Sequence, residues 1–96
     1  MEENNFSVVA DVTTEDIEAI KPVVVSLFGD AAIKPVTGGF HIEGALTGTT
    51  AQDCNRHLLS AMRRVVKKTQ LRASWTGHGV TERYFDYVLK SRVTEP

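Results

Sequence analysis

The stretch Thr50–Lys68, TAQDCNRHLLSAMRRVVKK, decides how the rest of the chain is read. Ala51, Cys54, Leu58, Ala61, Met62 and Val65 recur at steps of three and four residues, and Leu59 and Val66 widen the stripe. That spacing lays them along one side of a helix. Arg56, Arg63 and Lys67 form one ridge of the opposite side, and His57, Arg64 and Lys68 another. Thr49 or Thr50 supplies a capping hydroxyl, with Gln52 or Asp53 three residues on, as in a weak capping box. The cations gather in the second half, where the negative end of the helix dipole favours them. Such a helix needs an apolar surface, most simply a sheet, beneath one side and leaves a cationic side free.

Outward from this helix, periodicity predicts the remaining elements. On the N-terminal side, Phe6 to Val12 alternates as a strand with Phe6, Val8, Ala10 and Val12 inward. Thr13 or Thr14 followed by Glu15, Asp16 and Glu18 marks a helix start. Ile17, Ile20, Val24, Leu27 and Phe28 form its stripe, Gly29 ends it, and Pro22 is expected on its outer side with a bend. Ala32–Thr37 and Phe40–Thr47 then flank Gly38-Gly39 as a hairpin, with Pro35 on an edge strand. On the C-terminal side, Leu71–Thr76 reads as a strand with Leu71, Ala73 and Trp75 inward. A loop of Gly77, His78 and Gly79 leads into Val80–Leu89, taken as a further strand with Phe85 opposite Leu71 on the inner face; a C-terminal helix is the alternative.

The order βαββαββ defines an α+β domain, and its first six elements resemble those of a ferredoxin-like βαββαβ sandwich, with an additional C-terminal strand beside the fourth. That resemblance is one of element order and implies two helices on one face of an antiparallel sheet, with no particular activity. The 96 residues form a single domain, with 1–5 and 92–96 as flexible tails.

Composition narrows the function classes. The chain is 42% hydrophobic and 24% charged, as in ordinary globular proteins. No apolar run is long enough to span a membrane. The acidic, polar start is unlike a secretory leader, and the single Cys54 cannot form an internal disulfide, so a cytoplasmic protein is expected. Net charge is −1, yet residues 1–53 sum to −7 and residues 54–96 to +6. Such asymmetry points toward an anionic partner or toward neutralisation between the halves.

Two candidate surfaces follow. Arg56, Arg63, Arg64, Lys67, Lys68 and the nearby Arg72 can line a phosphate backbone or another anionic partner. The competing reading is a solvated helix face near Glu15, Asp16 and Glu18. The sheet face away from the helices should present His41, Glu43, Thr47, Arg72, Ser74, Thr76, Glu82, Tyr84 and Asp86. Of these, His41, Glu43, Ser74 and Tyr84 are candidates for an interaction face. RNA-recognition domains stack bases on aromatics of their central strands, and Gly39-Phe40-His41-Ile42-Glu43 lacks that spacing. An uncovered sheet in a short chain favours a homodimer interface or plain solvated surface.

Catalytic and metal motifs are wanting. His41-x-Glu43 has no downstream Pro-Cys-x-x-Cys such as zinc deaminases need, and two ligands do not close a metal site. Cys54-x-x-His57 places its thiol on the apolar stripe, where a buried cysteine is the usual outcome. There is no phosphate-binding glycine loop, dinucleotide fingerprint or nucleophile elbow. The glycine-rich phosphate loop of acylphosphatases has no match either. The expectation is therefore a non-enzymatic interaction module without cofactor or metal, self-associating or bound to another protein. Nucleic-acid binding through the basic helix is the alternative.

Overall fold

The computed structural model describes residues 4–94. They form a small α+β fold with two helices and one six-stranded, wholly antiparallel sheet. The strands are β1 (Asn4–Thr13), β2 (Ile33–Val36), β3 (Gly39–Gly48), β4 (Gln70–Gly77), β5 (Val80–Phe85) and β6 (Val88–Thr94), laid side by side as β2-β3-β1-β4-β5-β6. Helix α1 (Ile17–Phe28) follows β1, and α2 (Ala51–Arg63) follows β3. A 3-10 turn, Asp30–Ala32, leads into β2.

Alternation in the strands decides which side is covered. Phe6, Val8, Ala10 and Val12 of β1, Phe40 and Ile42 of β3, and Leu71, Ala73 and Trp75 of β4 are buried. They meet Ile20 and Val24 of α1 and Ala51, Cys54, Leu58, Leu59 and Met62 of α2 in one core. The two helices touch each other, α1 packing on β2 and β3 and α2 on β3 and β4. One sheet face is thus roofed by helices and the other is open, as the amphipathic stripes require. Pro22 lies inside α1 and is exposed, as its place off the stripe dictates. Among the described residues no helix is long and apolar enough to cross a membrane.

Several boundaries differ from expectation for local reasons. Helix α1 is capped by Asp16, whose Oδ1 accepts from the Ala19 amide at 3.1 Å, rather than by Thr13 or Thr14. Thr13 stays in β1, and Thr14 turns its hydroxyl toward that of Thr69, 3.1 Å away. The first hairpin turns on Thr37-Gly38, since Gly39 already pairs with Val36. Gly38 takes the positive φ of 78° that the turn needs. Helix α2 ends at Arg63, five residues before Lys68, because Val65 and Val66 both donate to the Met62 carbonyl and the chain curls toward β4. Val65 is consequently 51% exposed rather than part of the stripe.

The C-terminal part departs furthest. The alternative of a C-terminal helix is overturned, because 80–85 and 88–94 are both strands. The single strand Val80–Leu89 is instead a hairpin, broken at Asp86-Tyr87, where Asp86 takes a φ of 53°. Of the residues expected in flexible tails, Asn4 and Asn5 belong to β1 and Arg92–Thr94 to β6, while 1–3 and 95–96 lie outside the described residues. The β4–β5 turn uses two residues, His78 and Gly79, both at positive φ, rather than three. This one-residue difference reverses which side chains of β5 face the helices. Tyr84, paired with Ala73, is buried on the helix side, and Phe85, paired with Arg72, faces the open side.

The two sheet edges are unlike. β2 has four residues including Pro35, which has no amide to offer, and Lys34. β6 has seven, with Val88, Leu89 and Val93 about half exposed.

Candidate interaction surfaces

The six candidate cations separate. Arg56 lies exposed on α2, while Arg64, Lys67 and Lys68 lie exposed at and beyond its end. Arg72 projects from β4 to the opposite, open side, with its guanidinium 5.1 Å from the Phe85 ring centroid. Arg63 is not a free cation at all. Its Nε donates to the Thr69 carbonyl at 2.9 Å, and its guanidinium lies 3.3 Å from an Asp86 carboxylate oxygen and 5.3 Å from the Tyr87 ring centroid. A continuous positive ridge along the helix is therefore interrupted at its centre.

Arg63 belongs to a network that periodicity gave no reason to expect. Asn55, which is 1% exposed, accepts from Trp75 Nε1 at 3.0 Å and donates to the Asp86 carbonyl at 2.7 Å. The Asp86 amide donates to the Leu71 carbonyl at 2.7 Å, and Asp86 Oδ1 accepts from the Leu71 amide at 2.9 Å. The hydroxyls of Ser60 and Tyr87 lie 3.1 Å apart. The bonds of Asn55 and Asp86 satisfy groups that would otherwise be costly to withdraw from water, while the Ser60–Tyr87 pair is exposed. Together they fasten the β5–β6 turn to α2.

Cys54 and His57 differ in exposure. Cys54 is 3% exposed, and burial, followed by the nearby Asp53 carboxylate, raises its thiol above the ordinary value, which disfavours the reactive thiolate. His57 is exposed. Both border a cleft of about 400 Å³ walled by Leu27, Leu46 and Asp53. The Asp53 carboxylate accepts there from the Thr49 hydroxyl at 3.0 Å, and the Asp53 amide donates at 3.0 Å to the hydroxyl of Thr50, the N-cap of α2.

The open sheet face is laid out in rows by strand register, since residues directly opposite on neighbouring strands share a face. One row runs Lys34, His41, Asp11, Arg72, Phe85, Val88. The next runs Glu43, Val9, Ser74, Arg83, Ser91, and a third runs Ala45, Ser7, Thr76, Thr81, Val93. His41, Glu43 and Ser74 are thus where expected. Tyr84 and Glu82 are not: they face the helix side, where the Tyr84 hydroxyl donates to Glu82 Oε1 at 2.6 Å. Burial, then that hydrogen bond, holds the Tyr84 phenol above its usual range. Asp86 sits in the turn. Residues not singled out from sequence are Asp11 and Val9, which the alternation of β1 already turned outward, and Arg83 and Phe85, whose face depends on the register of β5.

His41 stands between two carboxylates, with Nδ1 2.8 Å from Asp11 and Nε2 4.0 Å from Glu43. The carboxylates are 64% and 71% exposed and address different ring nitrogens, so the three groups do not converge on one point. Among the described residues no cluster of histidine, cysteine and acidic groups has the arrangement of a metal site. On the four central strands the charge of the open face is divided by strand, and the cation Lys34 stands outside them on β2. Asp11 and Glu43 stand on β1 and β3, and Arg72 and Arg83 on β4 and β5. Asp11 and Arg72 are direct neighbours across the β1–β4 boundary, Val9 and Ser74 separate Glu43 from Arg83, and Ser7 and Thr76 continue the short uncharged side chains into the next row.

No family model matches the chain, and neither a curated protein nor a solved structure matches it.

Proposed function

We propose that this chain is a small non-enzymatic interaction module that docks a protein surface, its own or another's, on the helix-free face of its sheet. The observation that carries this reading is the layout of that face: acids on β1 and β3, arginines on β4 and β5, and short uncharged side chains at Ser7, Val9, Ser74 and Thr76. Electrostatic complementarity of that kind fixes orientation and excludes wrong partners. A non-enzymatic role is supported by the state of the polar groups: the Cys54 thiol is buried and raised above its ordinary value, and the two carboxylates beside His41 address different ring nitrogens. We read the β2-β3-β1-β4 part with its two helices as a ferredoxin-like βαββαβ unit enlarged by the β5–β6 hairpin. The cytoplasm suits its single free thiol.

Hydroxyl-radical footprinting tests the reading whatever the partner. Val9 and Phe85 should be less oxidised in concentrated cell extract than in the dilute purified protein, while the helix-side Val65 should not change. Equal oxidation of Val9 and Phe85 in both samples would refute a docking role for this face.

A second reading uses the exposed cations Arg56, Arg64, Lys67 and Lys68 to bind nucleic acid or another anionic regulator. It rests on their shared solvent exposure around the end of α2. Binding to random single-stranded and duplex oligonucleotides, falling as salt rises, checks it. No binding at low salt rejects it.

A further inference from the structure

We infer that the partner of the open sheet face is a second copy of this chain, docked face to face about a twofold axis that runs between β1 and β4, nearly parallel to the strands. The inference rests on the docking role proposed above and specifies its occupant. A twofold interface must be self-complementary: if a residue meets a second one across it, the second meets the first. Turning the sheet over about the β1–β4 boundary exchanges β1 with β4 and β3 with β5. In the first row this sets Asp11 of each copy against Arg72 of the other, and His41 against Phe85. In the second row it sets Glu43 against Arg83, with Val9 against Ser74 between them. Both acids meet arginines, and each pair occurs twice. No like charges meet in these two rows within the four central strands. Arg72 and Arg83 have no intramolecular ion pair among the described residues, so both are available.

Shape agrees with charge. Aligned sheets pack about 10 Å apart with their strands offset by roughly 30°. Short side chains near the axis suit that spacing, and Ser7, Val9, Ser74 and Thr76 supply them in the second and third rows, while in the first row the Arg72 guanidinium is drawn away from the axis to the Phe85 ring. The offset displaces outer strands most, and the charged pairs lie on the four central strands, where it matters least. Six strands present on the order of 600 Å² of flat face per copy. That is at the lower end of what specific pairs bury. The dimer is accordingly weak, rapidly reversible and salt-sensitive.

Charge reversal and complementation test the pairing by sedimentation velocity over a concentration series. The wild type should self-associate at low salt and dissociate as salt is raised. Glu43→Arg alone and Arg83→Glu alone each place like charges together twice, and should weaken the dimer about tenfold or more. Mixing these two variants restores both pairs in a heterodimer, as does the double variant in a homodimer, so each should recover wild-type association. Restoration also shows that the single variants are folded. A wild type that stays monomeric overturns the inference, as does a dimer indifferent to both reversals or a mixture that fails to recover. If the wild type is monomeric yet Val9 and Phe85 are protected in extract, the face docks another protein, and only the choice of a second copy is wrong.

Discussion

The guanidinium of Arg63 lies 3.3 Å from one carboxylate oxygen of Asp86, while the other carboxylate oxygen holds the Leu71 amide at 2.9 Å. A residue expected to offer its charge to a partner instead closes the molecule, joining the end of α2 to the β5–β6 turn. Both side chains are less than a third exposed, so the pair is only partly screened by water. Asp86→Ala should cost about 3 kcal/mol, since it strands the Leu71 amide and puts alanine at positive φ. Arg63→Ala should cost about 2 kcal/mol. Urea unfolding of both singles and the double variant gives their coupling. A coupling of about 1 kcal/mol is expected, and strict additivity would show that the two groups act independently.

Asn55 offers a second handle on the same network. It is the buried amide between Trp75 and the Asp86 carbonyl. Asn55→Leu fits the helix stripe by polarity but leaves the indole N–H and a carbonyl without partners. A loss of about 2–4 kcal/mol is expected in urea unfolding. A neutral or stabilising effect would mean that water replaces the amide.

Much of the core can be read without coordinates. Cys54, Leu58 and Met62 declare the inner side of α2 by spacing alone, and Phe6, Val8, Ala10 and Val12 do the same for β1. The end of α2 could not be read, because Arg64, Val65 and Val66 carry no glycine or proline and continue the helical period. The terminus is marked instead by the shared Met62 carbonyl and by the tertiary contacts of Arg63 with Thr69 and Asp86. The face of β5 could not be read either. Tyr84 and Phe85 are both plausible core residues, and a turn of two rather than three residues selects between them. Half of the candidate face was therefore visible, through His41, Glu43 and Ser74, while Arg83 and Phe85 depended on that turn.

The same register makes a direct prediction. Tyr84 is 5% exposed on the helix side. Tyr84→Ala should cost about 3–4 kcal/mol through the cavity it leaves. Phe85→Ala, on the open side against Arg72, should cost about 1 kcal/mol. The opposite ranking in thermal or urea unfolding would show that β5 pairs one residue out of step.

Neighbouring glycines in the first hairpin should respond very differently to alanine. A Cβ on Gly39 would fall 1.6 Å from the Val12 carbonyl oxygen, so the β1–β3 ladder would have to separate. Around Gly38 nothing lies within 4 Å, and only its positive φ is at stake. Gly39→Ala should cost about 3 kcal/mol or more, and Gly38→Ala about 1 kcal/mol. Comparable losses would contradict the turn at Thr37-Gly38.

Alkaline pH should weaken the fold through two groups. Burial, then Asp53, raises the Cys54 thiol, and burial, then the Glu82 hydrogen bond, raises the Tyr84 phenol. Both hold their protons more tightly folded than unfolded. Their contribution is complete below the unfolded values, about 8.5 and 10, and is lost as pH climbs through the folded ones. Stability in urea should therefore fall between neutral pH and about pH 10.5. Combining Cys54→Ala with Tyr84→Phe should flatten that fall, and an unchanged slope would assign it to other groups.

Because Pro35 closes one margin of the sheet while β6 leaves the other available, lengthening by added strands can proceed from a single side. Two molecules joined along β6 would turn their β2 margins outward, where a four-residue strand and the missing Pro35 amide discourage further edgewise growth.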